Sequence, residues 1–353
     1  MTHAYEKLAN ELDRIPNGFP RTESGVELKM LAKLFTTEDI EIASNLTMEP
    51  QSIKEIAEIC RVGETEAKSR LIGMVKRGLI DLQRDNEKGF VFHLIPFVVG
   101  FYERQNARID KEFAELFEQY YQERFHKTML TGPSVHRIIP LEKAIPVDID
   151  VMPYEKASNY LEKAQSWGVL DCICRVQKKL IGQGCEHTVQ NCLVFSPKPG
   201  AFDRTDDIKT LTRDEALEVL EEADREGLVH SINNAQTEVY YVCNCCTCSC
   251  GVLRGMVEYG SENSIARSDF YAVVDEEQCT GCEACIERCQ FNAMTMVDGI
   301  CEVDRVSCYG CGLCISSCSV EALSLVQKSP EEITTPPVDD EAWRSERALS
   351  RNV

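Results

Sequence analysis

The sequence has no apolar run long enough to cross a bilayer. Its longest, FVFHLIPFVVGF from Phe90, is short and is broken by His93 and Pro96. Positive charge is scarce: 38 Lys and Arg face 58 Asp and Glu, for a formal net charge of −20 over 353 residues. That balance disfavours nucleic acid, whose binding rests on phosphate neutralisation, and favours encounter with a partner carrying a basic patch. No P-loop, no G-x-G-x-x-G fingerprint and no Ser-His-Asp arrangement is present, so nothing requires independent substrate chemistry. The opening MTHAYEKLANELDR lacks the basic and apolar regions of a signal peptide, and the expectation is a cytoplasmic protein. Cysteine is almost missing from the first half, where Cys60 stands alone before residue 170.

The N-terminal part has its own patterning. SIKEIAEIC places Ile53, Ile56, Ala57 and Cys60 on one helical face, and TEAKSRLIGMVKRG does the same with Ala67, Leu71, Met74 and Val75. GLIDLQRDNEKGFVFHL then reads as a hairpin turning at Asp85–Gly89. Helix, turn, helix and hairpin, preceded by ELKMLAKLF and TEDIEIASNL, form a winged-helix pattern over 1–100. Lys68, Arg70, Lys76 and Arg77 face outward from its second helix, but Glu64 and Glu66 open that helix. Protein contact or dimerisation, making a homo-oligomer, is the preferred role over DNA binding. Cys60 reads as a small apolar core residue.

Residues 101–150 read as a long amphipathic helix over 101–127, striped by Ile109, Phe113, Leu116, Phe117, Tyr120 and Tyr121, then an extended connector punctuated by Pro133, Pro140, Pro146 and, just beyond it, Pro153. In a middle region, 151–267, helices and short strands alternate. PYEKASNYLEKAQSWG is a helix with Pro153 in its first turn, and TRDEALEVLEEADREG one with a Thr212–Glu215 capping box and Gly227 at its end. VLDCICRV, NCLVFS, LVHSI and EVYYVC read as strands. The segment 329–353 reads as a mobile tail.

Eighteen cysteines follow residue 170, in C-x-C and C-x-x-C spacings that suit metal ligation better than disulfides. Cys279, Cys282, Cys285 and Cys289 have the C-x2-C-x2-C-x3-C spacing, and Cys308, Cys311, Cys314 and Cys318 repeat it 29 residues later. In such runs the fourth cysteine ligates the other cluster. The expected sets are therefore Cys279, Cys282, Cys285 and Cys318 for one [4Fe-4S] cluster, and Cys308, Cys311, Cys314 and Cys289 for the second. Residues 268–328 thus resemble a bacterial-type 2[4Fe-4S] ferredoxin domain, a (βαβ)2 unit. The proline that normally follows the fourth cysteine is missing; Gln290 and Ser319 stand there. The expected consequence is an altered potential with both clusters kept. Cys301 lies outside both repeats and reads as packing.

Nine cysteines remain: Cys172, Cys174, Cys185 and Cys192, then Cys243, Cys245, Cys246, Cys248 and Cys250, five of them within eight residues. If DCICR is a strand, Cys172 and Cys174 share a face. If CNCCTCSC starts a helix, Cys246 and Cys250 share one. Three readings stand: one or two further Fe–S clusters, which the neighbouring cluster chemistry favours, structural zinc, or a thiol–disulfide relay. His187 reads as a ligand, a proton donor or a plain surface histidine. Arg175 and Arg254 flank the two blocks as donors to cluster sulfurs or partners of local carboxylates.

Taken in order, these features resemble a family of multidomain iron–sulfur proteins of anaerobic bacteria and archaea. That family joins a winged-helix-like segment, a C-I-C-R block, a C-N-C-C block and a two-cluster ferredoxin. The resemblance implies electron carriage beside a flavoprotein or a heterodisulfide-reductase-like complex. The expected fold is α+β and multidomain, with an α/β middle domain, and the expected function is single-electron transfer to or from a partner redox enzyme. A redox-sensing winged-helix regulator and a reductase acting at a middle-domain cluster are the alternatives. The geometric requirement is that the two middle cysteine blocks meet in space, with their sulfurs converging.

Overall fold

A computed structural model describes residues 2–145, 152, 156–203, 205 and 207–353. The expected positions of Pro146 and Pro153 lie outside the described residues. The fold is mixed α/β with several sheets. The chain divides into two compact units, one of Met1–Thr128, Ile173–Gly184 and Arg347–Val353, the other of Met129–Cys172 and Cys185–Glu346. Apart from Cys174, which falls in the first unit, the middle and C-terminal cysteines thus belong to the second.

In the first unit, helices Ile53–Cys60 and Glu64–Lys76 form where the apolar spacing places them, and Ser52 and Glu55 close a reciprocal capping box on the first. Strands Ile80–Asp85 and Gly89–Leu94 pair in the register Asp85↔Gly89, and Gln51–Ser52 adds a third strand. Arg70 pairs with Glu66, and Arg77 pairs with Asp39 at 2.6 Å. Two of the four outward cations are therefore engaged locally. Cys60 is half-buried, and burial raises its thiol pKa, which keeps it protonated and unreactive.

The long helix expected over 101–127 is shorter. Asp110 caps helix Lys111–Glu123, its carboxylate accepting from the Phe113 N–H at 2.8 Å, so Ile109 falls before the helix. The stripe is core: Phe113, Phe117, Tyr120 and Tyr121 are buried in an aromatic cluster with Phe19, Phe97 and Tyr102. Helix Ile173–Leu180 packs on it through a buried Lys178–Glu118 ion pair at 3.0 Å. VLDCICRV is accordingly not one strand. It pairs only as Ser166–Asp171, then a register shift at Leu170/Asp171 ends the strand and the chain turns helical.

The second unit is built on a seven-stranded sheet. Its spatial order is Ile265–Ala266, His136–Ile138, Val229–Asn233, Tyr241–Cys245, Gln190–Ser196, Ser166–Asp171 and Lys209–Leu211, antiparallel except for the first pair. Helix Arg213–Arg225, held by the Thr212–Glu215 capping box, covers one face, where Val169, Leu193 and Val242 pack with Ala216. Two antiparallel pairs follow, Phe270–Val274 with Leu323–Gln327 and Met294–Val297 with Ile300–Val303, alongside short helices Ala284–Arg288 and Leu313–Ser316. A buried Arg137–Asp269 ion pair at 3.2 Å joins the large sheet to the first of these strands. Among the described residues no helix is long and apolar enough to cross a membrane.

The segment after Lys328 is not a free tail. Gln236 and Thr237 donate to the carbonyls of Pro336, Pro337 and Val338, and Asp340–Arg351 is a helix. Trp343 is buried in the second unit with its indole N–H donating to Ser134 O at 2.8 Å; Arg347, in the first, donates to Pro16 O and Thr128 O. A buried aromatic anchor that finds its hydrogen-bond partner outweighs the polar composition of the segment. Trp343→Ala should destabilise by roughly 3–5 kcal/mol, read as a lowered urea midpoint together with proteolytic release of the C-terminal segment.

His136 is buried in this sheet, and burial lowers its pKa to about 4. The unfolded chain takes up that proton near pH 6.5 while the folded chain does not, so the stability is intact above about pH 6.5 and lost as pH falls toward 4. Denaturant titrations should show a loss of about 3 kcal/mol across that window that is missing in His136→Phe.

Candidate metal centres

Period-two alternation sorts the middle cysteines. Val242 and Asn244 of strand Tyr241–Cys245 point to the helix-covered face, so Cys243 and Cys245 point to the other. Leu193 pairs with Val242, which sets Cys192 across from Cys243. Cys172, just beyond the end of strand Ser166–Asp171, is held by its N–H donating to Val189 O at 2.8 Å. The result is an all-thiol group. Cys243 hydrogen-bonds with the Cys192 and Cys245 thiols, Cys245 also with Cys250, and Cys172 lies near enough to act on the charge of Cys245. Hydrogen bonds from Cys243 and Cys250 lower the Cys245 pKa, while hydrogen bonds with Cys192 and Cys245 raise that of Cys243. Within the group, Cys245 is thus biased toward its thiolate and Cys243 away from it.

Cys246 follows Cys245 directly and takes the opposite side, beside Ala223, Leu228 and Cys185. Its sulfur lies 3.9 Å from that of Cys185. Donor atoms of Cys185, His187, Cys246 and Cys248 all fall within 4.8 Å of one another, the one such convergence among the described residues. CNCCTCSC does not start a helix: the strand continues to Cys245, and Cys250 is the N-cap of Gly251–Tyr259. The two cysteine blocks therefore meet, through Cys172, Cys185 and Cys192 from the first. Cys174 stands on the first turn of helix Ile173–Leu180, in the first unit. Arg254 forms a bidentate ion pair with Glu258, at 2.8 and 3.0 Å.

In the C-terminal repeats the cysteines line two separate cavities. One is walled by Cys279, Cys282, Cys285 and Cys318, the other by Cys289, Cys308, Cys311 and Cys314. Each cavity takes three thiols from one repeat and the fourth from the other, a donor set that fits a cubane cluster with four thiolates. Gly281 and Gly310 occupy equivalent places in the two loops at φ +69°; a Cβ there would lie 2.4 Å from Gly299 O and 2.1 Å from Phe270 O. Backbone amides aim at the sulfurs: Ala293 N–H at Cys289 (3.4 Å), Ala322 N–H at Cys318 (3.3 Å) and Ala272 N–H at Cys308 (3.4 Å). Burial raises the thiol pKa of Cys311 to about 12 and that of Cys314 also upward.

Two residues carry more than their sequence positions signalled. Cys301 shares the first cavity, its sulfur 3.4 Å from that of Cys285; it lies outside both spacings, and only the strand pairing of Met294–Val297 with Ile300–Val303 brings it in. Gln290, in place of the usual proline, accepts from the Thr247 N–H at 2.7 Å and donates to Gly227 O. It thereby ties the first cysteine repeat to the Cys246–Cys248 loop, a role a proline ring has no side-chain atoms to fill. Arg288 reinforces the junction through Arg225 O at 2.9 Å, and Ser316 through Asp224 at 2.8 Å.

A 4Fe-4S binding domain family matches residues 272–295, the span of the first cysteine motif. Neither the curated proteins nor the solved structures give a match. The match and the many cysteines support an iron–sulfur protein with a 4Fe-4S binding domain at residues 272–295. Gln290→Pro should cost about 1–3 kcal/mol by stripping two partners at the junction, seen as faster amide exchange at Thr247 with the iron content unchanged.

Proposed function

We propose that the protein is an iron–sulfur electron-transfer protein in which two [4Fe-4S] clusters in 268–328 exchange single electrons with a partner redox enzyme. The observation that carries this reading is the pair of cavities, each bringing together three cysteines of one repeat and the fourth of the other, with Cys301 also on the wall of the first. Cys279, Cys282, Cys285 and Cys318 would hold one cluster; Cys308, Cys311, Cys314 and Cys289 the other. When bound, the clusters supply one-electron chemistry. The chain's own residues set the conditions for it. Amide N–H groups on Cys289, Cys308 and Cys318 favour the more negative, reduced state, while the net charge of −20 opposes it. The helices Ala284–Arg288 and Leu313–Ser316 pack together through Ser317 Oγ and Ala284 O at 3.5 Å, which keeps the two centres close.

The all-thiol group of Cys172, Cys192, Cys243, Cys245 and Cys250 is proposed as a further Fe–S site, with one thiol more than a cubane needs. It lies in the same compact unit as the repeats, and Gln290, next to Cys289 in sequence, is bonded to Thr247, two residues from Cys245. The partner is expected to present a basic surface to this acidic chain, and a flavoprotein or a heterodisulfide-reductase-like complex fits that role. A DNA-reading role for the winged-helix-like segment is disfavoured, since Arg70 and Arg77 are already paired with Glu66 and Asp39.

Anaerobic purification should yield about twelve irons and as many sulfides per chain, eight of them in the repeats. The crossed ligand sets are checked by EPR of the reduced protein. Cys282→Ser and Cys318→Ser should perturb the same signal, and Cys289→Ser the other. If Cys289→Ser instead alters the signal that Cys282→Ser alters, the assignment fails.

A further inference from the structure

Cys185, His187, Cys246 and Cys248 are, among the described residues, the one set whose donor atoms all converge on a single point. Around one ion with metal–sulfur bonds of about 2.3 Å, a tetrahedron has edges of about 3.8 Å. The Cys185–Cys246 sulfur separation is 3.9 Å, and all four donors fall within 4.8 Å of one another. A cubane places a separate iron behind each thiolate and so needs its ligands further apart, around a cavity; the repeats have that arrangement and these four residues do not. The chemistry of the set agrees. Three thiolates and an imidazole are a closed, four-coordinate zinc set, and the C-x-H and C-x-C pairs come from two segments, as in structural sites.

The surroundings hold the donors in place. Glu226 Oε2 lies 3.5 Å from His187 Nδ1, the carboxylate beside an imidazole that orients histidine ligands, and Glu226 is itself fixed by the Thr188 N–H at 2.8 Å. Ser249 Oγ lies 3.5 Å from the Cys185 sulfur, and the apolar side chains of Ala223 and Leu228 back the site. We infer that Cys185, His187, Cys246 and Cys248 bind one zinc ion, separate from the iron–sulfur centres, which fixes the loop that Gln290 docks on. Zinc has no redox chemistry, so this centre is a structural clamp rather than an electron carrier. It assigns three of the nine middle cysteines and leaves the all-thiol group intact on the other side of the strand.

The test uses the full-length protein, grown with both metals present and assayed for zinc and iron separately. The expected result is about one zinc per chain. Cobalt(II) in its place should give the intense visible bands of a tetrahedral thiolate site. Cys248→Ser should weaken zinc binding at least about 10-fold and leave iron unchanged; Glu226→Gln should weaken it about 10-fold. His187→Cys keeps four ligands and is the control should Cys248→Ser fail to fold: it should retain the ion and shift the cobalt bands. Zinc absent from the wild type, iron lost from Cys248→Ser, or cobalt bands unmoved in His187→Cys would each overturn the inference. Because zinc and iron are counted independently, a failure of the electron-transfer reading leaves this result standing, and the reverse.

Discussion

Consecutive residues of an extended strand must point to opposite sides, and at Cys245 and Cys246 that rule divides the chemistry of the middle region. One side gathers Cys192, Cys243 and Cys245 from neighbouring strands; the other gives Cys246 to Cys185, at the end of the covering helix. Had the strand ended two residues earlier and a helix begun at Cys243, the same five thiols would have wound round one axis. The pairing of Tyr241–Cys245 with Val229–Asn233 and Gln190–Ser196 is what prevents this. The sheet is therefore part of the ligand set as much as the sulfurs are.

A second constraint comes from the junction between the sheet and the repeats. Arg137 with Asp269, Arg288 with the carbonyls after Ala223, Ser316 with Asp224, and Gln290 with Thr247 and Gly227 are all side chains that reach across it. The two cysteine repeats have a small apolar core, in which Cys285, Cys308 and Cys314 are themselves among the buried residues packed with Met294 and Leu323. Docking on a larger sheet supplies the rigidity that such a core lacks.

How much of this could be read in the sequence depended on how local each feature is. The hairpin at Asp85–Gly89, the capping box at Thr212 and the spacing of the eight C-terminal cysteines are short-range patterns, and each is legible. The start of the helix at Ile173–Leu180 reads as a strand because Ile173 and Val176 are β-branched, while its stabilisation comes from Gln177 and Lys178 meeting Ala114 O and Glu118, about sixty residues away in sequence. For His187 the sequence leaves ligand, proton donor and surface histidine open, because its neighbours Cys246 and Cys248 arrive through the sheet. Trp343 and Arg347 sit in a stretch whose polar composition suggested a free tail, because two anchors are too few to change an average.

The long reach of the split sites also sets a timetable. Cys185 and Cys246 are 61 residues apart, and Trp343 seals against Ser134 across 209. At roughly 5–20 residues per second, the ribosome needs several seconds to deliver the second half of each middle site after the first. During that interval Cys172, Cys185 and Cys192 are reduced thiols with no partners yet made. Those seconds, on the nascent chain, are when its biogenesis is most exposed to oxidation and to capture of the wrong metal.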